Sequence, residues 1–107
     1  MFIKFDDLDM LEFFENEPIA IGEEGEARFI YSIKDEHQFS MTLTVDTYVK
    51  KINIYVRYSD NIIFAGEFDN VLEIRKSEDV LLVEMEGEKR LVLKKYSCLG
   101  IVMENGI

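Results

Sequence analysis

Apolar and polar residues alternate in short runs along most of this chain, and this pattern constrains its fold more than any other feature. In residues 38–46 the apolar side chains of Phe39, Met41, Leu43 and Val45 occupy every second position, and residues 51–58 repeat the pattern. A period of two is typical of a β-strand with one face on the core. Further strands are predicted at residues 27–33, 61–65, 71–75, 80–85, 90–95 and 99–103.

Only residues 6–16 follow a helical period. Their apolar residues recur at spacings of three and four and would form one stripe on a helix: Leu8, Met10, Leu11, Phe13 and Phe14. Asp6 or Asp7 can cap the N-terminus, and Pro18 is expected to end the helix.

The connections between the predicted strands are short and rich in turn-forming residues. Short connections favour antiparallel hairpins, because parallel pairing requires long crossovers. We therefore predict a mostly β member of the α+β class, in which one N-terminal helix packs on a curved antiparallel sheet of about seven or eight strands. At 107 residues, the chain is expected to form a single domain over residues 1–107.

Composition places the chain in a broad class. The first residues turn acidic at once, unlike a secretory signal, and the longest apolar run, residues 80–83, is too short for a membrane span. The single cysteine, Cys98, fits a reducing compartment. We therefore expect a cytoplasmic protein with no membrane partner.

The negative charge of the chain is concentrated at its beginning. The formal net charge is −10, and residues 1–26 contribute −8 of it, with Lys4 as their one base. Two interpretations remain open: a solvated helix face followed by a polar loop, or a surface that binds a basic protein by imitating a phosphate backbone. On the second interpretation the contact residues are Asp6, Asp7, Asp9, Glu12, Glu15, Glu17, Glu23, Glu24 and Glu26.

No motif predicts catalysis, a metal or a cofactor. Asp7 and Asp9 have the spacing that opens a calcium loop, but Leu11 and Phe13 follow where further oxygen ligands would be required. His37, the only histidine, lies in a predicted turn and far in sequence from Cys98. We expect a protein that is not an enzyme, and the charge of −10 argues against direct binding of nucleic acid.

Tyr55 is a further candidate contact residue. It shares the polar face of its predicted strand with Lys51, Asn53 and Arg57. An outward tyrosine beside an arginine is typical of an interface anchor.

The size of the chain, its acidity and its opening segment FDDLDMLEFFENE resemble the small immunity proteins of bacterial polymorphic toxin systems, including contact-dependent growth inhibition. The resemblance covers the whole chain in type, without an invariant motif. It implies tight binding to a cognate toxin, which is often a nuclease with a basic cleft. The immunity protein would then block that cleft or cover a neighbouring surface.

Two other functions fit the same residues. An interaction domain of structural or regulatory type would self-associate through a sheet edge near residues 99–103, forming a homodimer for which the acidic end only adds solubility. A mimic of DNA that blocks another nucleic-acid enzyme would share the electrostatics of a toxin inhibitor.

Overall fold

Ten strands and one helix are present among residues 3–21, 28–95 and 99–105, which are the residues that this computed structural model describes. In chain order the elements are β1 (Lys4–Phe5), α1 (Asp7–Phe14), β2 (Ile19–Ile21), β3 (Arg28–Lys34), β4 (Phe39–Asp46), β5 (Lys51–Tyr58), β6 (Asn61–Phe68), β7 (Val71–Ser77), β8 (Val80–Met85), β9 (Lys89–Lys94) and β10 (Gly100–Asn105). Within these ranges, no helix has the length and apolar character needed to span a bilayer.

The strands form two sheets of five strands each. Sheet A has the order β1-β7-β8-β9-β10, and sheet B has the order β2-β3-β4-β5-β6. The predicted single sheet of about seven or eight strands is therefore wrong, although the mostly β character is confirmed. The reason is that alternation identifies the residues that share a face of a strand but not the strands that pair, and strands as short as β1 and β2 display no period.

Most strand pairs are antiparallel, as the short connections predicted. The exception is β1, which pairs in parallel with β7 through Lys4 opposite Glu73 and Phe5 opposite Ile74. The prediction of an entirely antiparallel sheet was wrong at this pair, because the helix and the whole of sheet B together provide the long crossover that parallel pairing requires.

Both sheets and the helix contribute to one hydrophobic core. The alternation in β4 is confirmed, since Met41, Leu43 and Val45 are fully buried while the residues between them are half-buried. The same cluster contains residues of β5, β8 and β9. Burial of this much apolar surface is the main favourable contribution to folding.

The helix contributes only part of its predicted apolar stripe to that core. Met10, Phe13 and Phe14 are fully buried, whereas Leu8 is 61% exposed and Leu11 is 41% exposed. Five apolar residues in an eight-residue helix cover too wide an arc for all of them to face inward.

Asp6 caps the helix, as predicted, but the helix ends before Asn16 and Pro18. Glu15 adopts a left-handed conformation with φ 58°. Its backbone N–H donates to the carbonyl of Leu11 at 2.8 Å. Helices commonly end with one residue in this conformation, usually a glycine, so Glu15 is an unusual choice.

The two lateral sides of the molecule differ. On the helix side are the short edge strands β1 and β2. The ring of Phe5 on β1 packs there against that of Phe29 on β3, with the ring centroids 5.9 Å apart. The helix lies there too, in contact with β3 and β7. On the open side, the edge strands β6 and β10 are eight and six residues long.

Candidate partner-binding surface

The acidic residues of the first helical turn have different roles in the fold. Asp6 accepts a hydrogen bond from the backbone N–H of Leu8 through Oδ1 at 2.7 Å, which satisfies a helix N–H that has no partner within the helix. Asp9 accepts one from the backbone N–H of Lys76 on β7 through Oδ2 at 3.1 Å. Both carboxylates are therefore engaged in holding α1 in place.

Glu15 is engaged at the other end of the helix, where the last turn contains no basic residue. Lys95, which follows β9, supplies the missing cation: its Nζ donates to the carbonyl of Phe13 at 2.7 Å and lies 3.3 Å from Oε2 of Glu15. The same ammonium lies 5.2 Å from the centre of the Phe13 ring. A cation here is favourable because the carbonyls at a helix C-terminus carry partial negative charge.

Asp7, Glu12 and Glu17 remain exposed to solvent. Glu12 pairs with the Lys76 ammonium at 3.8 Å, a solvent-accessible contact that contributes little stability. Glu23, Glu24 and Glu26 lie outside the described residues. Of the described candidate residues in the acidic segment, these three carboxylates are the ones that a partner could contact without breaking a hydrogen bond or ion pair that holds the helix in place.

The charge of Asp7 also acts inside the molecule. Tyr31 on β3 is buried and stacks on Phe14, with the ring centroids 5.2 Å apart. Burial raises the pKa of Tyr31 to about 12, and the nearby negative charge of Asp7 adds to this rise. Asp7 is therefore electrostatically coupled to the aromatic cluster beneath the helix.

Tyr55 lies on a different surface from the acidic helix. It is half-buried on the outer face of β5, opposite Thr42 on β4, with the Arg57 guanidinium 5.7 Å from its ring centroid. The helix contacts β3, which lies two strands away in sheet B. The Tyr55–Arg57 arrangement that the sequence predicted is present, but the structure does not bring Tyr55 together with the helix carboxylates.

A mixed-charge cavity of about 540 Å³ lies near the C-terminal end of α1. Its lining includes Glu15, Lys34, Asp35, Glu36, His37 and Lys95. Three carboxylates, two lysines and one histidine line it, so charge of both signs surrounds the cavity.

Asp35 organises the edge of this cavity. Its Oδ1 accepts hydrogen bonds from the backbone N–H groups of His37 and Phe39, and its Oδ2 accepts one from that of Leu99. Slight burial raises the pKa of Asp35, but these three N–H groups outweigh it and hold the pKa below its usual value. His37 is exposed in its turn, as predicted. Cys98 lies outside the described residues, and nowhere in the described ranges do three potential metal-ligating side chains of His, Cys, Asp or Glu come together.

Sequence reasoning missed the exposed apolar residues of β6, whereas it named the edge at residues 99–103, in β10, for self-association. Ile62, Ile63 and Phe64 on β6 are 55%, 57% and 39% exposed, and Met103 on β10 is 45% exposed. The signal was present in the sequence, because three consecutive apolar residues interrupt the alternation at 62–64. Exposed apolar residues grouped in this way mark interaction surfaces.

Comparison with solved structures identifies a chain of the same fold. It belongs to a structure described as a contact-dependent growth inhibition toxin–immunity protein complex from Klebsiella pneumoniae 342, with a TM-score of 0.82 and 21% sequence identity. The match covers 97% of this chain and 98% of the other. Comparison with protein-family models found no match, and comparison with curated protein sequences found none either. The resemblance inferred from the sequence is thereby confirmed at the level of the fold.

Proposed function

We propose that this chain is a non-catalytic, cytoplasmic immunity protein that neutralises a cognate toxin by binding it tightly, and that the toxin is a basic nuclease. The observation that carries the proposal is the fold match, over nearly the full length of both chains, to a member of a toxin–immunity complex. Such a complex contains a toxin and an immunity protein, and the net charge of this chain favours the role of the immunity protein. A nuclease with a net charge of −10 would repel its own polyanionic substrate, whereas an inhibitor with that charge attracts a basic enzyme.

The acidic helix is the proposed surface for capturing the toxin. Among the described carboxylates of residues 6–17, Asp7 and Glu17 face solvent and Glu12 makes only an exposed ion pair with Lys76. Asp6, Asp9 and Glu15 keep the helix in position. Glu23, Glu24 and Glu26 extend the same charge along the sequence, and Tyr55 is proposed as an additional anchor on the outer face of sheet B. Charge of this kind mainly accelerates association.

The proposal is tested by isolating the partner and measuring neutralisation. The tagged protein is used to capture partners from a lysate of the source organism, first at low and then at moderate salt, and the captured protein is identified by mass spectrometry. That protein is then expressed with and without this chain, and cell growth is followed. We expect growth inhibition that this chain relieves; a captured protein that is harmless, or one whose toxicity persists, contradicts the proposal.

Charge reversal tests the role of the helix. The triple variant Asp7→Lys, Glu12→Lys, Glu17→Lys is compared with Glu36→Lys, Glu78→Lys, Glu88→Lys, which makes the same change in net charge at exposed turns. We expect the helix variant to slow association with the toxin by about tenfold or more at low salt. Equal association rates for the two triple variants would show that the position of the charge on the helix is unimportant.

Self-association is the second candidate function, and the exposed apolar edge of β10 is the observation that favours it. Sedimentation of the isolated protein separates the two functions. A homodimer that persists at high salt supports the interaction domain, whereas an inhibitor requires no homodimer.

A further inference from the structure

The open side contains an apolar groove of about 400 Å³ between the edge strands of the two sheets. Phe64 and Phe68 from β6 line one wall, and Ile101 and Met103 from β10 line the other. The groove extends inward to Leu91, which is a core residue. It is therefore an opening into the hydrophobic interior rather than a depression on a polar surface.

A β-bulge shapes the wall formed by β6. Val56 on β5 pairs with Phe64, and the next residue, Arg57, pairs with Ile62, so that Ile63 is the extra residue. Because the bulge interrupts the alternation of sides, the consecutive residues Ile63 and Phe64 both line the groove.

Gly66 completes this wall by leaving space for two rings. A Cβ at this position would lie 2.9 Å from the Phe68 ring and 3.0 Å from the Phe64 ring. The two aromatic side chains thus lie close over the glycine.

The opposite wall ends in a regular strand edge. All six residues of β10 pair with β9 in continuous register, and among the described residues no strand pairs with the other edge of β10. Its backbone N–H and C=O groups that point away from β9 are therefore available to a further strand. Native edge strands are usually protected by shortness, by charged side chains, especially lysine, or by proline. β10 has six residues without lysine or proline, and its one charged residue is Glu104.

The charge on the two edges indicates what fits there. Residues 60–69 and 99–105 contain four carboxylates and no lysine or arginine. The Arg90 guanidinium from β9 lies 3.6 Å from Glu104 and pairs with one of them. The Lys51 ammonium from β5 is shared between Glu67 at 2.8 Å and Asp69 at 3.8 Å, so it cannot neutralise both. A second copy of this chain would bring the same negative charge to the groove, whereas a basic segment would be attracted.

We propose that the open side binds an extended segment of a basic partner protein, which adds to sheet A as a sixth strand beside β10. Alternate apolar side chains of this segment enter the groove and cover Ile63 and Phe64, and the side chains between them carry positive charge. Six paired residues would span about 20 Å. Strand addition of this kind takes affinity from main-chain hydrogen bonds and specificity from pockets for alternate side chains. The identification of the toxin as the natural partner rests on the proposed function. The binding of a basic strand in the groove does not depend on it.

A peptide probe tests the groove without any toxin. The capped peptide Lys-Val-Lys-Val-Lys-Val-Lys is titrated into isotope-labelled protein, and backbone amide shifts and hydrogen exchange are followed by NMR. We expect shifts and slowed exchange in residues 100–105, and no comparable effect of Glu-Val-Glu-Val-Glu-Val-Glu or of the lysine peptide with proline at its centre. Shifts confined to α1, equal effects of the three peptides, or no shift at all would overturn the proposal.

Matched variants extend the test. Ile63→Lys and Met103→Lys introduce a charge into the groove, while Ile19→Lys introduces the same charge at an exposed apolar position of the helix-side edge strand β2. We expect the two groove variants to raise the Kd for the lysine peptide by about tenfold or more and the control to leave it within about twofold. A homodimer of the unmodified protein that Met103→Lys dissociates would show that a second copy occupies the groove, which also overturns the proposal.

The same variants are then measured against the isolated toxin. If the toxin is neutralised but Ile63→Lys, Met103→Lys and Ile19→Lys bind it equally, the toxin does not use the groove, and the proposed function stands while its extension to this surface fails. If no toxin is found, the peptide titration decides the binding property of the groove by itself.

Discussion

The edge strands on the two sides of this two-sheet fold differ in length and in what packs beside them. On the helix side the edge strands have only two and three residues, and α1 contacts the strand beside each of them. On the open side both edges are long, apolar and without basic residues. We therefore expect side chains on the helix side to contribute more to stability, while the open side retains edges that can pair with another chain.

Truncation of an aromatic residue on each side provides the largest expected contrast. Phe14 is fully buried between Phe13 and Tyr31, so Phe14→Ala is expected to lower the free energy of unfolding by about 3–5 kcal/mol. Phe64 is 39% exposed, and Phe64→Ala is expected to lower it by about 1–1.5 kcal/mol. Urea denaturation of both variants measures the difference, and equal losses would contradict the assignment of stability to the helix side.

Alkaline pH should weaken the helix side selectively. The pKa of Tyr31 is raised to about 12 from 10.0, so between these values the unfolded chain loses the tyrosine proton while the folded chain keeps it. The neutral Tyr31 side chain therefore contributes its full share to the free energy of unfolding below pH 10. This share, about 2–3 kcal/mol, is lost as the pH rises towards 12. We expect Tyr31→Phe to reduce the fall in stability over this pH range, as measured by denaturation at a series of pH values. An unchanged slope would indicate that Tyr31 ionises in the folded protein as readily as in solution.

Removal of the cation at the helix C-terminus should have a smaller effect. Lys95→Met leaves the carbonyl of Phe13 without its donor and is expected to cost about 1–2 kcal/mol in unfolding free energy. Lys94→Met removes an exposed ammonium from the preceding residue and serves as the control, with an expected change within about 0.5 kcal/mol. Similar losses in both variants would argue against a specific role for Lys95.

The smallest effect is expected on the open side. Ile63→Lys and Ile19→Lys each replace an apolar side chain that is more than half exposed, so the unfolding free energy should change by less than about 0.5 kcal/mol in both. Thermal denaturation measures this change. A large loss in Ile63→Lys alone would show that the groove is required for folding, and its variants could then not be used to measure binding.

The sequence predicted the local structure well because local structure depends on near neighbours. The periods of two and 3.6 located β4, β5 and α1, and Asp6 was one of the two cap candidates. The division into two sheets was not predictable in this way, because the positions of strands in a sheet depend on contacts between distant segments. The parallel pairing of β1 with β7 is the clearest example.

The candidate site was predictable only in part for the same reason. Charge clustering indicated the acidic helix, but Lys76 and Lys95, which come from β7 and from the end of β9, determine which carboxylates face solvent. The groove was harder to predict, because its two walls are separated by more than 30 residues. The sequence indicated one wall as an edge for self-association at residues 99–103, and the interruption of alternation at 62–64 was the signal for the other.

The parallel pair also has a consequence for the order in which the molecule forms. β1 leaves the ribosome before the other described strands, yet its partner β7 begins only at Val71. Sheet B, whose paired neighbours all follow one another along the chain, can assemble through local hairpins during that interval, since closing short loops is fast. We therefore expect β1 to be incorporated after sheet B has formed, when it docks on β7.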